Sequence, residues 1–184
     1  MKSRHFLAPL ILVSAGVIAL AARISMSRGP VGNKAVPQPA QPVDLNRYAG
    51  RWYEIGRYEN SFERDCEAVT ADYRLLDNGA VQVINRCRKG GLDGPVKTAK
   101  GRGKAVERSR GAKLKVSFFG PFFGDYWVLD HADDYAWSIV GEPSGRYLWL
   151  LSRTAEPSAS VRGAILTRVR DLGYDTSLIR PTRH

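Results

Sequence analysis

Histidine is almost missing from this chain of 184 residues, and the three present, His5, His131 and His184, lie far apart. Neither a histidine metal cluster nor a Ser-His-Asp arrangement can readily assemble from them. A glycine-rich phosphate loop is missing as well, and no segment carries a nucleic-acid recognition motif. No metal, no cofactor and no nucleic-acid partner is therefore expected. Cysteine is limited to Cys66 and Cys87. Neither stands at the end of the apolar amino-terminal run, so a lipid-modified N-terminal cysteine is not expected. Acidic residues are missing before Val43, where five basic ones occur.

That amino terminus has a pattern of its own. Lys2 and Arg4 precede an uncharged apolar run from Phe6 to Ala22, a positive flank followed by a hydrophobic core. Ala19-Leu20-Ala21 would suit signal peptidase. At 17 residues the run is slightly long for a signal core and slightly short for a spanning helix. Residues 1–22 are thus read as either a cleaved signal peptide or an uncleaved membrane anchor. Residues 23–42, with Pro30, Pro37, Pro39 and Pro42, read as an extended, unpacked Pro-rich linker. The folded domain is expected over 43–184, exported to the cell envelope, in the periplasm or associated with the outer membrane.

The net charge of +10 is partly local: between Lys97 and Lys115 eight basic residues face a lone Glu107. This is either a solvated sheet face or a patch for anionic lipid headgroups. In an exported protein the two cysteines suggest a disulfide. Asp77-Asn78-Gly79 is a strong hairpin signal, and it sets Cys87 opposite about Val69, three residues from Cys66. A bend where the chain enters the strand would bring the sulfurs together.

Asp44 to Ala49 reads as one helical turn with Asp44 as its N-cap. Gly50 then releases the chain into strands over 52–60, 67–76, 80–88, 98–107, 112–118, 126–130, 135–141 and 146–152, joined by short turns. Neighbouring strands pair with up-and-down connectivity, which favours a closed antiparallel barrel. A helix over about 157–172 follows, with Val161, Ile165, Val169 and Leu172 in one stripe suited to docking outside the barrel. Gly173 ends it, and 176–179 can add a short ninth strand.

Gly50-Arg51-Trp52, Asp125-Tyr126-Trp127, and Arg153 directly after the eighth strand resemble the three signature segments of the lipocalin family. More narrowly, Trp52-Tyr53-Glu54-Ile55, Val69 to Tyr73, Lys115 to Phe122 and Leu148 to Thr154 are similar to the bacterial outer-membrane lipocalins, relatives of apolipoprotein D. The resemblance covers nearly everything from Val43 to about Ile179. It implies an all-β fold: an eight-stranded up-and-down barrel, or calyx, closed at one end, holding a small apolar ligand. Trp52 would floor it and Arg153 would cover the indole from outside. Gly50, Trp52 and Arg153 are structural in this reading.

Strand parity then gives the lining. Glu54 and Tyr58 share the Trp52 face of the first strand. Val69, Ala71 and Tyr73 point in from the second, Val83 and Asn85 from the third, and the small Gly101 and Gly103 from the fourth, leaving open volume. Val116 and Phe118, Tyr126 and Val128, then Tyr147 and Trp149 complete the wall. Trp137 is placed outward with less support, since its neighbours Ala136 and Ser138 take the inward parity. Among the polar members, Glu54, Asn85, Tyr126 and Tyr147 either bind the polar end of an amphiphile, a fatty acid or lysophospholipid, or satisfy one another. Phe118 to Gly124, with four aromatics, reads as a sticky lip, a membrane-inserting loop or a self-packed one. Two other functions stay open: an enzyme using a free Cys87 thiol in the calyx, and a membrane-surface protein acting through the basic hairpin and aromatic loop.

Overall fold

The computed structural model describes residues 29–184. The expected export segment and the first part of the linker lie outside the described residues. A four-residue helix, α1 (Leu45–Tyr48), is capped by the Asp44 side chain on the Asn46 amide. Eight strands follow: β1 (Gly50–Tyr58), β2 (Cys66–Leu75), β3 (Ala80–Lys89), β4 (Val96–Ala105), β5 (Lys113–Phe119), β6 (Phe122–His131), β7 (Trp137–Gly141) and β8 (Leu148–Ser152). Each pairs antiparallel with the next, and β1 pairs with both β2 and β8. The sheet is thereby closed, as the turn spacing predicts.

Helix α2 (Ala159–Asp171) lies outside. Its Ile165 and Val169, with Leu172, pack against Leu129, Ile139, Leu148 and Leu150 on the outer wall, and Trp127 and Trp137 join them there. Trp137 thus faces outward. A short 3-10 turn leads into β9 (Ile179–Pro181), which pairs with the second half of β1 where β2 has diverged.

Two bulges matter for the site, because each reverses which side chains face inward. The first lies at Ile55 and Gly56: Glu54 is opposite Leu151, whereas Gly56 is opposite Leu150. Ile55 and Tyr58 therefore join the outer core, and Arg57, opposite Trp149, turns in. The inward placement of Tyr58 by simple alternation is overturned by this extra residue. Tyr58 instead packs edge-on against Tyr174, with its hydroxyl donating to the Asp175 carbonyl at 2.8 Å. The second bulge falls between Glu67 and Thr70, where Ala68 adopts φ 47°. This is the expected bend at the start of β2, and the Cys66–Cys87 disulfide spans it with the Cα atoms 5.5 Å apart.

The expectation of an unpacked linker fails over residues 29–42. The amides of Gly32 and Asn33 donate to the Gly145 carbonyl, and the Asn33 side chain donates to the Leu172 carbonyl at 2.9 Å. Lower down, the Ala40 amide reaches the Leu129 carbonyl and Gln41 reaches Asp130 and the His131 carbonyl. Prolines remove backbone donors, so an extended strap can lie on the wall with the amides of Gly32, Asn33, Ala35 and Ala40 paired. Its contact at Gly145 (φ 65°) is so close that a Cβ there would sit 1.8 Å from the Asn33 carbonyl oxygen. The strap runs from the β7–β8 turn, at the open end, down to Val43, at the closed end.

Candidate ligand-binding site

The closed end is built on Trp52, which is fully buried among Val43, Tyr48, Val128, Val140 and Leu151. Its Nε1 donates to the Tyr48 carbonyl at 2.8 Å. Outside, the Arg153 guanidinium lies 3.8 Å over the indole ring and donates to the Arg51 and Arg47 carbonyls at 2.8 and 2.7 Å. One cation thus ties α1, β1 and the end of β8 together. Arg153→Ala removes the cation–π contact and these charge-assisted bonds, and is expected to cost about 1–3 kcal/mol. Thermal melts check this, and an unchanged midpoint would contradict it.

Above Trp52 three tyrosine hydroxyls are linked across the barrel. Tyr126 contacts Tyr48 at 2.9 Å and Tyr73 at 3.0 Å, and Tyr48 reaches Ser138 at 3.1 Å. Burial pushes the Tyr48 phenol up to about 12 and raises those of Tyr73 and Tyr126 as well. The network is a neutral chain of hydroxyls. Beside it, lined by the three tyrosines with Leu45, Leu75, Val81, Val83, Leu114 and Val116, is a cavity of only about 10 Å³, room for about one water.

Gly101 and Gly103 do not leave the open volume expected of them. A Cβ on Gly101 would lie 2.8 Å from the Phe118 ring, and Gly103 is backed by Leu114, Val116 and Val81 at 3.5–3.6 Å. Both glycines are occupied by neighbours from β5 and β3. Val128, at 1 % exposure, is likewise part of the closed-end core rather than a free wall.

The open half is different. Tyr73, Asn85, Val116, Phe118, Tyr126, Tyr147 and Trp149 share the inward parity yet are only partly buried. Ala71, Val83 and Val69 supply buried apolar wall, the last beside the disulfide. Asn85 Oδ1 is buried without a hydrogen-bond partner. Phe62 from the β1–β2 loop stacks on Tyr147, which stacks on Trp149, with ring centroids 5.8 Å apart in both pairs. Trp149 Nε1 donates to the Glu63 carboxylate at 2.9 Å.

Glu54 is engaged within the protein. Its carboxylate accepts from Arg57 Nη1 at 2.7 Å and from the Thr182 hydroxyl. Arg57 is fully buried and also donates to the Glu63 and Cys66 carbonyls. Burial, then the neighbouring Glu63, push the Glu54 carboxyl up to about 7 against the pull of Arg57. With the sulfurs of Cys66 and Cys87 bonded, Cys87 has no thiol to offer as a nucleophile. Among the described residues no group of three or more His, Cys, Asp or Glu side chains could hold a metal ion.

Sequence reasoning missed Phe62, Glu63, Arg57 and Tyr48. The first two lie in a loop without periodicity, and Tyr48 sits on a single helical turn. Arg57 was signalled by Gly56, since a glycine inside a strand pattern marks a bulge.

Comparison with known proteins agrees with this architecture. The family described as Lipocalin-like domain matches residues 43–184. The outer membrane lipoprotein Blc of Vibrio cholerae is 38 % identical over 150 residues, covering 79 % of this chain and 87 % of that protein. Apolipoprotein D of Macaca fascicularis is 34 % identical over 143 residues, covering 71 % and 72 %. Among solved structures, insecticyanin of the tobacco hornworm Manduca sexta superposes with a TM-score of 0.65 at 21 % identity, over 83 % of this chain and 87 % of that one, which bears on the fold alone. The floor tryptophan under its arginine, the closed eight-stranded barrel and these matches agree: the chain belongs to the lipocalin family, in its Blc and apolipoprotein D-like branch.

Proposed function

We propose that this protein binds and carries a small amphiphile, of the fatty acid or lysophospholipid class, in the open half of its barrel. The family binds and transports small hydrophobic ligands in general. The observation that carries the finer reading is the set of inward aromatics left partly exposed above a tyrosine-bridged floor. In this reading the acyl chain enters between Phe118, Val116 and Trp149, whose side chains part to admit it, and stops at the Tyr73–Tyr126 hydroxyls. Its polar end meets Tyr147 at the mouth, or, where it carries a hydroxyl as a lysophospholipid glycerol does, donates to the Asn85 carbonyl oxygen, which lacks a partner. Apolar walls with a few convergent polar groups are what such sites require.

We place the protein in the cell envelope. The V. cholerae relative is named an outer membrane lipoprotein, which runs against the expectation that lipidation plays no part. Both cysteines of this chain are used in its disulfide, so residues 6–22 are the segment we assign to export or anchoring.

Lipid extraction and native mass spectrometry of the purified protein test the reading, with a co-purifying single-chain amphiphile as the expected result. Trp149→Ala is expected to weaken cis-parinaric acid binding about ten- to a hundredfold, the equivalent of about 1.5–3 kcal/mol of lost apolar contact. Unaltered affinity in a folded variant would rule out this chamber.

A further inference from the structure

Every exposed large apolar side chain among the described residues belongs to the open end. Phe62 stands in the β1–β2 loop, Leu92 and Val96 in and beside the β3–β4 loop, and Phe119, Phe122 and Phe123 at the β5–β6 tip. Phe119 and Phe122 are 82 % and 79 % exposed. The connections at the closed end carry none. Isolated apolar residues on a surface need no explanation, but six gathered on one rim do.

Cations accompany them. Arg102 reaches from β4 to lie 5.7 Å over the Phe123 ring, and Arg88 and Lys97 flank Val96. Lys97, Lys100 and Arg102 form no ion pair with any described residue. The acids of this rim are mostly engaged: Asp65 with Lys89 at 3.6 Å, Asp125 with Lys115 at 2.8 Å and Glu59 with Arg180 at 3.2 Å, Glu63 with Trp149, and Asp93 is the single acid of the β3–β4 loop.

The strap supplies an independent observation. The Gly29 carbonyl is held by Arg146 at the β7–β8 turn, so the described chain starts at the mouth. In a barrel of eight, β8 lies across from β4. The described chain therefore begins on one side of the opening, and the aromatic hairpin projects from the other.

We propose that the open end is a membrane-docking surface, in which the β5–β6 tip and its neighbouring loops enter the interfacial layer of an anionic bilayer with the mouth facing the lipid. Aromatic and aliphatic side chains partition into that layer while the basic side chains meet anionic headgroups. An amphiphile would then pass between bilayer and barrel without crossing water. The inference goes beyond the carrier reading and does not depend on it.

Nitroxide labels at Phe122→Cys and, on the closed-end turn, Asn78→Cys test this in the full chain, with the native disulfide verified by mass. The vesicles are phosphatidylethanolamine with phosphatidylglycerol. At position 122 the expected result is a gain in collision with oxygen and a loss of collision with a nickel chelate, while the label at 78 stays as exposed to nickel as in buffer. Phosphatidylcholine vesicles or high salt should reduce the burial at 122. Equal aqueous exposure at both sites, or burial at 78 instead, overturns the proposal, and retained parinaric acid binding in that case would leave the carrier reading standing. Phe119→Ser/Phe122→Ser/Phe123→Ser should keep its melting point and lose shielding of a label at Ser61→Cys. Shielding that persists in this variant would remove the aromatic tip from the docking surface.

Discussion

Arg57→Met is expected to destabilise the barrel by about 3–5 kcal/mol, the cost of breaking a buried ion pair from one side. The guanidinium is fully buried and donates to the Glu54 carboxylate and to the carbonyls of Glu63 and Cys66. Its loss leaves the Glu54 carboxylate with the Thr182 hydroxyl alone and takes a charged donor from the Glu63 and Cys66 carbonyls, which keep the Cys66 amide and Arg180, where β1 and β2 diverge and β9 enters. The double variant Glu54→Leu/Arg57→Met should recover part of the loss, because a well-packed apolar pair removes the desolvation penalty along with the attraction. Acidity provides a second readout. The Glu54 carboxyl is raised to about 7 in the folded protein, above its ordinary value, so the folded state holds the extra proton. The stability this contributes is fully present below about pH 4.5 and is lost as pH rises through about 7, by up to about 3 kcal/mol. Comparing the parent with Glu54→Gln isolates this group from Asp72, whose carboxyl is held low by Arg51 and acts in the opposite sense at lower pH. Removing Arg57 withdraws one of the attractions that lower the Glu54 value, so the loss in Arg57→Met should continue above pH 7. Urea unfolding across this range decides the matter, and an Arg57→Met protein as stable as its parent at pH 8 would show that the pair carries no such weight.

Period-two alternation and turn chemistry suffice for the barrel, since the strands alternate with an apolar inner face and five of the seven connections between them contain glycine. The helix stripe and the greasy outer faces of β7 and β8 are complementary features, and both are legible because docking needs both. Alternation fails where backbone geometry changes the count. At Ile55–Gly56 one extra residue moves Tyr58 out and Arg57 in. Nothing in the side chains of Arg57 and Tyr58 opposes the simpler reading, and only Gly56 hints at the bulge. Volume is also illegible from one strand alone. Gly101 and Gly103 look like space until Phe118, Leu114 and Val116 arrive from β5. The strap is a third case: proline-rich composition implies extension, but it does not say whether an extended segment lies in solvent or against a wall whose carbonyls accept its amides.

Trp52→Ala separates the closed end from the ligand chamber. Deleting a fully buried indole is expected to cost about 3–5 kcal/mol, together with the Nε1 bond to Tyr48 and the seat of the Arg153 cation. For a domain of this size the melting point should fall by about 6–20 °C. Binding of cis-parinaric acid, measured well below that midpoint, should change less than about threefold, an energy below 1 kcal/mol. The reason is the hydroxyl chain of Tyr73, Tyr126, Tyr48 and Ser138. The Tyr48 ring packs on the indole at 5.0 Å, and the cavity beside the hydroxyls admits about one water. Trp149→Ala should show the opposite pattern, with affinity lost and a smaller thermal shift, because that ring is partly exposed and faces the mouth. If Trp52→Ala weakens binding as strongly as Trp149→Ala while remaining folded, the tyrosines are not the bottom of the chamber and the ligand reaches the indole itself.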